Sequence, residues 1–189
     1  LWTAEGHAVQ LVSQALNKSK IERKDVFLSQ VIYSHSARSF QDVKNEIDQI
    51  LFEFETDNVD CLSFNYSGMK QVFGWGASIE FLQKQLQEKR SRYIGVTNIP
   101  LDDLKVLKDI FGEKFFSVEI GFNFEIRENE KLGIIDFALE NNILPVIYQP
   151  LRRNRTVQHT YKLLINLSNK YNKTQNQIIL NWIASKGLL

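Results

Sequence analysis

The feature that most constrains this chain is a regular alternation of apolar, β-rich runs with amphipathic helical segments. The runs are "DVFLSQVIY" at 25–33, "VDCLSFN" at 59–65, "RYIGVTN" at 92–98, "FFSVEIGF" at 115–122 and "ILPVIYQP" at 143–150. Several are continuous apolar stretches, the pattern of strands buried on both faces of a parallel sheet. A helical segment follows each. In "FQDVKNEIDQILFEF" the residues Phe40, Val43, Ile47, Ile50, Leu51 and Phe54 share one helical face. The segment 78–90 ends in cations, which suit a helix C-terminus. Pro100 opens a helix carrying Leu101, Leu104, Leu107 and Phe111, and 129–142 reads as one helix. Thr174 and Gln177 form a capping box for the last helix, and Gly187 stops it.

Repeated βα units build either an open doubly wound sheet or a (β/α)8 barrel. A dinucleotide fold of the first kind wants Gly-x-Gly-x-x-Gly after its first strand, and that motif is absent. The barrel is favoured by where polar residues fall. Asn65, Thr97, Asn98, Glu119 and Tyr148 with Gln149 all end strands, and in a barrel those ends converge on one mouth. The expectation is one α/β domain over residues 1–189, a (β/α)8 TIM-barrel type. Five strands and a stub at Leu1–Ala4 fall short of the eight a barrel needs, so it is expected to be incomplete at the first and eighth strands. An open edge between the N- and C-terminal segments would expose unpaired backbone to a protein partner or a second copy.

Composition narrows the class. A formal net charge of +1 gives no reason to expect nucleic acid or an acidic membrane as partner. No run is long and apolar enough to span a bilayer, and Glu5 and His7 interrupt any leader pattern, so a cytoplasmic setting is expected. The chain starts at Leu1 without Met, which suggests a piece of a longer protein. Its one cysteine, Cys61, cannot form an internal disulfide and reads as a small buried hydrophobe. The three histidines, at 7, 35 and 159, are scattered, so no metal site is expected.

At "SRYIGVTN" a resemblance becomes specific: it is similar to the signature of the aldo-keto reductases, Arg-Tyr/Phe-Ile-Gly-Val-Ser-Asn. "RKDVFLSQV", "NVDCLSFN", "FSVEIGFN" and "ILPVIYQPLRRNRT" resemble that family's third, fourth, sixth and seventh strands in order, and "NKTQNQIILNWIASKG" the helix before its eighth. The resemblance implies a barrel that binds NADP(H) and reduces a small-molecule aldehyde or ketone. It implies a catalytic Asp, Tyr, Lys and His. The His position is Asn65, which is expected to point into the mouth, and the Lys position is Val31. The Asp and Tyr positions fall on Trp2 and His7, or without a gap on Leu1 and Gly6, which leaves His7 as a candidate substitute acid. Among cofactor positions, Tyr148 matches the aromatic that stacks on nicotinamide. Thr97 and Asn98 match the Ser-Asn pair at the carboxamide, and Glu119 stands where the family has Gln. Leu151 to Arg155, with Leu151 and Arg153 as its named contacts, offer a pyrophosphate loop, and the chain ends before the adenosine motif. Three readings stand: an active reductase, a relative without catalysis acting as a binding or regulatory module, and a barrel with other chemistry at Glu119, His7, His35 or Tyr66.

Overall fold

The computed structural model describes residues 2–3, 7–19, 21–32 and 37–189. The parallel strands are β1 (Trp2–Thr3), β2 (Ser29–Ile32), β3 (Val59–Asn65), β4 (Ser91–Thr97), β5 (Phe115–Gly121) and β6 (Leu144–Tyr148). They lie in sequence order, β1-β2-β3-β4-β5-β6, and every neighbouring pair is parallel. This is the consecutive parallel sheet expected of a barrel-type α/β fold. Among the described residues β1 and β6 stand at the two ends of the ladder. Leu189 extends it past β6, its N–H donating to the Pro145 carbonyl at 3.1 Å and its carbonyl accepting from Ile147 at 2.7 Å.

Strand register separates the sheet into two chemically different faces. Ile32, Leu62, Phe64, Ile94, Val96, Val118 and Ile120 join one core with the helices. Alternate residues point the other way. There the register aligns Ser29 with Cys61 and Tyr93, then Val31 with Ser63, Gly95 and Ser117 in the next row. Above these lie Asn65, Thr97 and Glu119. This second face is small and polar yet enclosed, with Ser29, Cys61, Ser63 and Ser117 fully buried. Gly95 is required here, because a Cβ on it would lie 2.4 Å from Ser117 Oγ and 3.0 Å from Ser63 Oγ. A register shift beside Gly95 turns Phe116 out of the ladder pattern. Its ring stacks on Phe27 at 4.8 Å and meets Tyr93 at 5.2 Å.

The helices on the first face are α1 (His7–Lys18), α2 (Phe40–Glu53), α3 (Tyr66–Phe73), α4 (Trp75–Gln87) and α5 (Leu101–Phe111). They continue with α6 (Glu128–Lys131), α7 (Ile134–Glu140), α8 (Arg155–Gln158), α9 (Lys162–Tyr171) and α10 (Gln175–Ser185). A capping box between Ser39 and Asp42 starts α2, whose buried Val43, Ile47, Ile50 and Leu51 are the apolar stripe read in the sequence. Pro100 precedes α5, and Asp102 and Asp103 in its first turn suit the positive end of the helix dipole. The single helix expected at 129–142 is two. Gly133, at φ 75, is left-handed and parts α6 from α7.

At the start of the sheet, buried Asp60 clamps three neighbours. It accepts from the Leu28 N–H at 2.8 Å and pairs with Arg23 at 2.9 Å and Arg92 at 2.8 Å. Burial opposes its charge, but the Leu28 amide and the two guanidiniums outweigh burial and hold its carboxyl below the ordinary range.

Candidate functional site

Asn65 closes β3 and starts α3. Its side-chain oxygen accepts the Gly68 N–H at 2.7 Å, an N-cap, while Nδ2 donates to Thr97 Oγ1 at 3.3 Å. The amide therefore serves the turn and the strand ends together, and both jobs fix its orientation. Thr97 ends β4 beside Asn65 and pairs in register with Glu119 of β5. Both are buried, at 4% and 7% exposure. Asn98 follows at φ 53, its N–H bonded to the Glu119 carbonyl at 2.9 Å. Its side-chain oxygen accepts from Tyr148 Oη at 2.8 Å. The Tyr148 ring reaches Asn98 by crossing Gly121, where a Cβ would sit 3.1 to 3.3 Å from the phenol. A Cβ there would press on the phenol by a few tenths of an ångström, so a glycine at that step eases the close approach of the ring to the strand end.

Four of the positions singled out in the sequence thus meet in two hydrogen-bonded pairs, Asn65–Thr97 and Asn98–Tyr148, which the Thr97–Asn98 peptide and a fifth position, Glu119, join. The loop after β6 is set apart by its backbone. Gln149, Arg152, Arg153 and Asn154 all take positive φ, at 55, 47, 55 and 65. Three consecutive non-glycine residues in the left-handed region cost about 1 kcal/mol each or more. Leu151 packs half-buried against the core, Arg152 forms an ion pair with Glu125, and Arg153 is exposed. Val31, which the resemblance sets at the Lys position, is 3% exposed in the row beneath Asn65. His7 opens α1, but its side chain, like His35 and the segment 4–6, lies outside the described residues.

A second polar cluster was not read from the sequence. Tyr66 Oη hydrogen-bonds Asp103, and Lys70 Nζ reaches Tyr66 Oη at 2.7 Å and Asp103 at 2.9 Å, with Trp75 edge-on to the phenol. Tyr66 and Lys70 stand four apart on α3, which is the only local signal; Asp103 comes from α5. Burial, and then donation to the Asp103 carboxylate, pushes the Tyr66 pKa up, so the phenol keeps its proton. The Cys61 thiol, buried against Ser117 Oγ at 3.7 Å, is pushed up to about 12 by burial. Among the described residues no group of histidine, cysteine and carboxylate side chains could hold a metal ion, and no helix is long and apolar enough to cross a membrane.

Fold and site together define a parallel α/β protein of barrel type with its polar groups gathered where the strands end. Residues 4–187 match the model of the Aldo/keto reductase family, and the chain belongs to that family. It is 27% identical over 188 residues to an NADPH-dependent alpha-keto amide reductase of Saccharomyces cerevisiae, covering 94% of this chain and 59% of that protein. It is 21% identical over 179 residues to the uncharacterized oxidoreductase YtbE of Bacillus subtilis, covering 94% and 60%. The chain therefore spans about three fifths of the length of these relatives. Among solved structures it resembles the thermostable aldo-keto reductase Tm1743, crystallised with epalrestat, at TM-score 0.82 and 23% identity over 98% of this chain and 67% of that one. The Klebsiella pneumoniae aldo-keto reductase in complex with NADPH gives TM-score 0.78 and 21% identity over 96% and 64%. These two likenesses show the fold.

Proposed function

We propose that the strand ends around Asn98 and Tyr148 bind the nicotinamide of NADP(H), and that the protein reduces carbonyl compounds weakly or not at all. The observation that carries the first half is the Tyr148 ring laid over Gly121 and bonded to Asn98. A flat, partly exposed π-face beside a carboxamide is what a planar heterocycle with its own amide would stack on and pair with. NADP(H), when bound, supplies the hydride. Tyr148 would support the ring, Thr97 and Asn98 would hold its amide, and Glu119 would accept from the amide NH2. The left-handed run Arg152–Asn154 presents backbone and cations after β6, where Leu151 and Arg153 would meet the pyrophosphate.

The second half rests on what surrounds the reacting oxygen. Hydride addition to a carbonyl builds negative charge on oxygen, which a positioned acid must neutralise. Asn65 can donate one neutral hydrogen bond but cannot release a proton near neutral pH. Val31 supplies no cation. Tyr66, the phenol beside Asn65 in sequence, is turned to Asp103 and Lys70, and its raised pKa makes it a poorer donor than an ordinary tyrosine. The small-molecule partner would then be a carbonyl compound held without rapid turnover, as suits a binding or regulatory role. The experiment is a titration with NADPH followed by tryptophan fluorescence, alongside steady-state NADPH oxidation. Saturable quenching that weakens in Asn98→Ala supports the cofactor site, and its absence removes it.

A further inference from the structure

At the opposite end of the sheet, where β3, β4 and β5 begin, lies a cavity of about 380 Å³. Three of its lining residues, Lys89, Arg92 and Lys114, are cationic, and among the described residues no carboxylate lines it. The cations are not scattered lysines. Arg92 and Lys114 are both drawn over the ring of Tyr93, each 5.5 Å from its centroid. Lys89 follows α4 in a left-handed turn, at φ 57, fixed by its N–H on the Leu86 carbonyl at 3.1 Å. Arg92 has a carboxylate partner in Asp60, but Asp60 divides one negative charge between Arg92 and Arg23. Lys114 and Lys89 add two further positive charges to the same wall.

Like charges gathered on one concave surface repel unless an anion enters, and the field is concentrated by low-dielectric walls. Tyr93 and Asn58 add neutral hydrogen-bonding groups to the lining, and Leu86 an apolar side. The volume falls in the range of small-molecule sites and exceeds what a bare oxyanion fills. We propose that this cavity binds a small phosphate monoester, its dianion held among Lys89, Arg92 and Lys114 and its organic part against Leu86 and the Tyr93 ring. Three cations favour a dianion over a monocarboxylate, and charge-assisted hydrogen bonds to phosphate are among the stronger polar contacts. The site stands independently of the nicotinamide reading, since it lies at the other end of the strands.

The test is an amide chemical-shift titration of the 189-residue chain at low ionic strength, first with inorganic phosphate and then with phenyl phosphate, with benzoate as the monoanion. Saturable shifts are expected at Ser91, Arg92, Tyr93 and Lys114. Phenyl phosphate should bind more tightly than phosphate, with a dissociation constant of about 1 mM or below. Added salt should weaken both. The double variant K89A/K114A, whose side chains are exposed, should keep its unfolding midpoint and lose at least about tenfold in affinity, whereas Asn98→Ala should bind as before. No saturable shift by about 10 mM, equal binding of benzoate, or affinity unchanged in K89A/K114A would each overturn the proposal.

Discussion

Tyr148 Oη donates to the side-chain oxygen of Asn98 at 2.8 Å, tying the end of β6 to the residue after β4 across the intervening strand. The bond leaves the aromatic face available while fixing its plane. Tyr148→Phe should keep the stacking face and lose only a partly exposed hydrogen bond, changing NADPH affinity by no more than about threefold. Tyr148→Ala should cost about tenfold or more, because the stacking surface is gone. Binding isotherms on the two variants check this, and equal losses would show that the hydroxyl rather than the ring matters.

Gly95 is placed where no side chain fits. Its Cβ would meet Ser117 Oγ at 2.4 Å and the Ser117 carbonyl at 3.2 Å, inside an enclosed polar row. Gly95→Ala should destabilise the fold by about 1–3 kcal/mol through overpacking. Adding Ser117→Ala should recover part of that, since the nearest clash is with the hydroxyl. Urea unfolding of the single and double variants gives the coupling directly.

Asp60 makes an acid-sensitive clamp. Its folded pKa is lowered, so its stabilisation is present above the unfolded carboxylate value of about 3.9 and is lost as pH falls through the lower folded value. Asp60→Asn should cost about 2 kcal/mol at pH 7, kept modest because Arg92 is well exposed. The difference from the parent chain should shrink below about pH 4. A cost that stays constant to pH 2 would mean that the charge is not what matters.

Cys61 gives the opposite sign. Its folded pKa is raised to about 12, so the neutral thiol stabilises the fold fully below the unfolded value of about 8.5, and that contribution is lost as pH rises toward 12. The chain should lose stability between those limits, and Cys61→Ala should lose less over the same range. With a thiol reagent at pH 8 the native protein should react only as fast as it opens, with the rate rising steeply in denaturant.

The sheet was readable because buried parallel strands are continuous apolar runs, and their order followed from the βα repeat. The helix α3 was not, because "NYSG" reads equally as a turn and as a strand delivering an amide. Asn65 does both, capping the helix with its oxygen and meeting Thr97 with its nitrogen. In hindsight Tyr66, Met69 and Phe73 carried the helical spacing. The break at Gly133 was visible only as a glycine inside an otherwise helical pattern, since nothing local says that its φ is positive. The strand-end residues Thr97, Asn98, Glu119 and Tyr148 were legible as a set because strand ends converge in this topology. Their pairing was not, because Asn98 and Tyr148 are joined by three-dimensional register alone. The Tyr66–Lys70–Asp103 cluster escaped for the same reason, its carboxylate arriving from α5.

We propose that this family member carries a nicotinamide-binding surface without an effective acid beside it, with Asn65 and Val31 where the resemblance sets the family's His and Lys. General acid catalysis is worth about 10²–10⁴-fold and an oxyanion donor about 10²–10³-fold, so weakening both is expected to leave activity several orders of magnitude below a working reductase. The direct measurement is steady-state NADPH oxidation by the purified protein with a reactive nitrobenzaldehyde, under conditions where NADPH binding is saturated. The account predicts turnover far below one per second, unrestored by Val31→Lys or Asn65→His alone. Turnover of about one per second, abolished by changing His7 or Tyr66, would contradict it and name the acid.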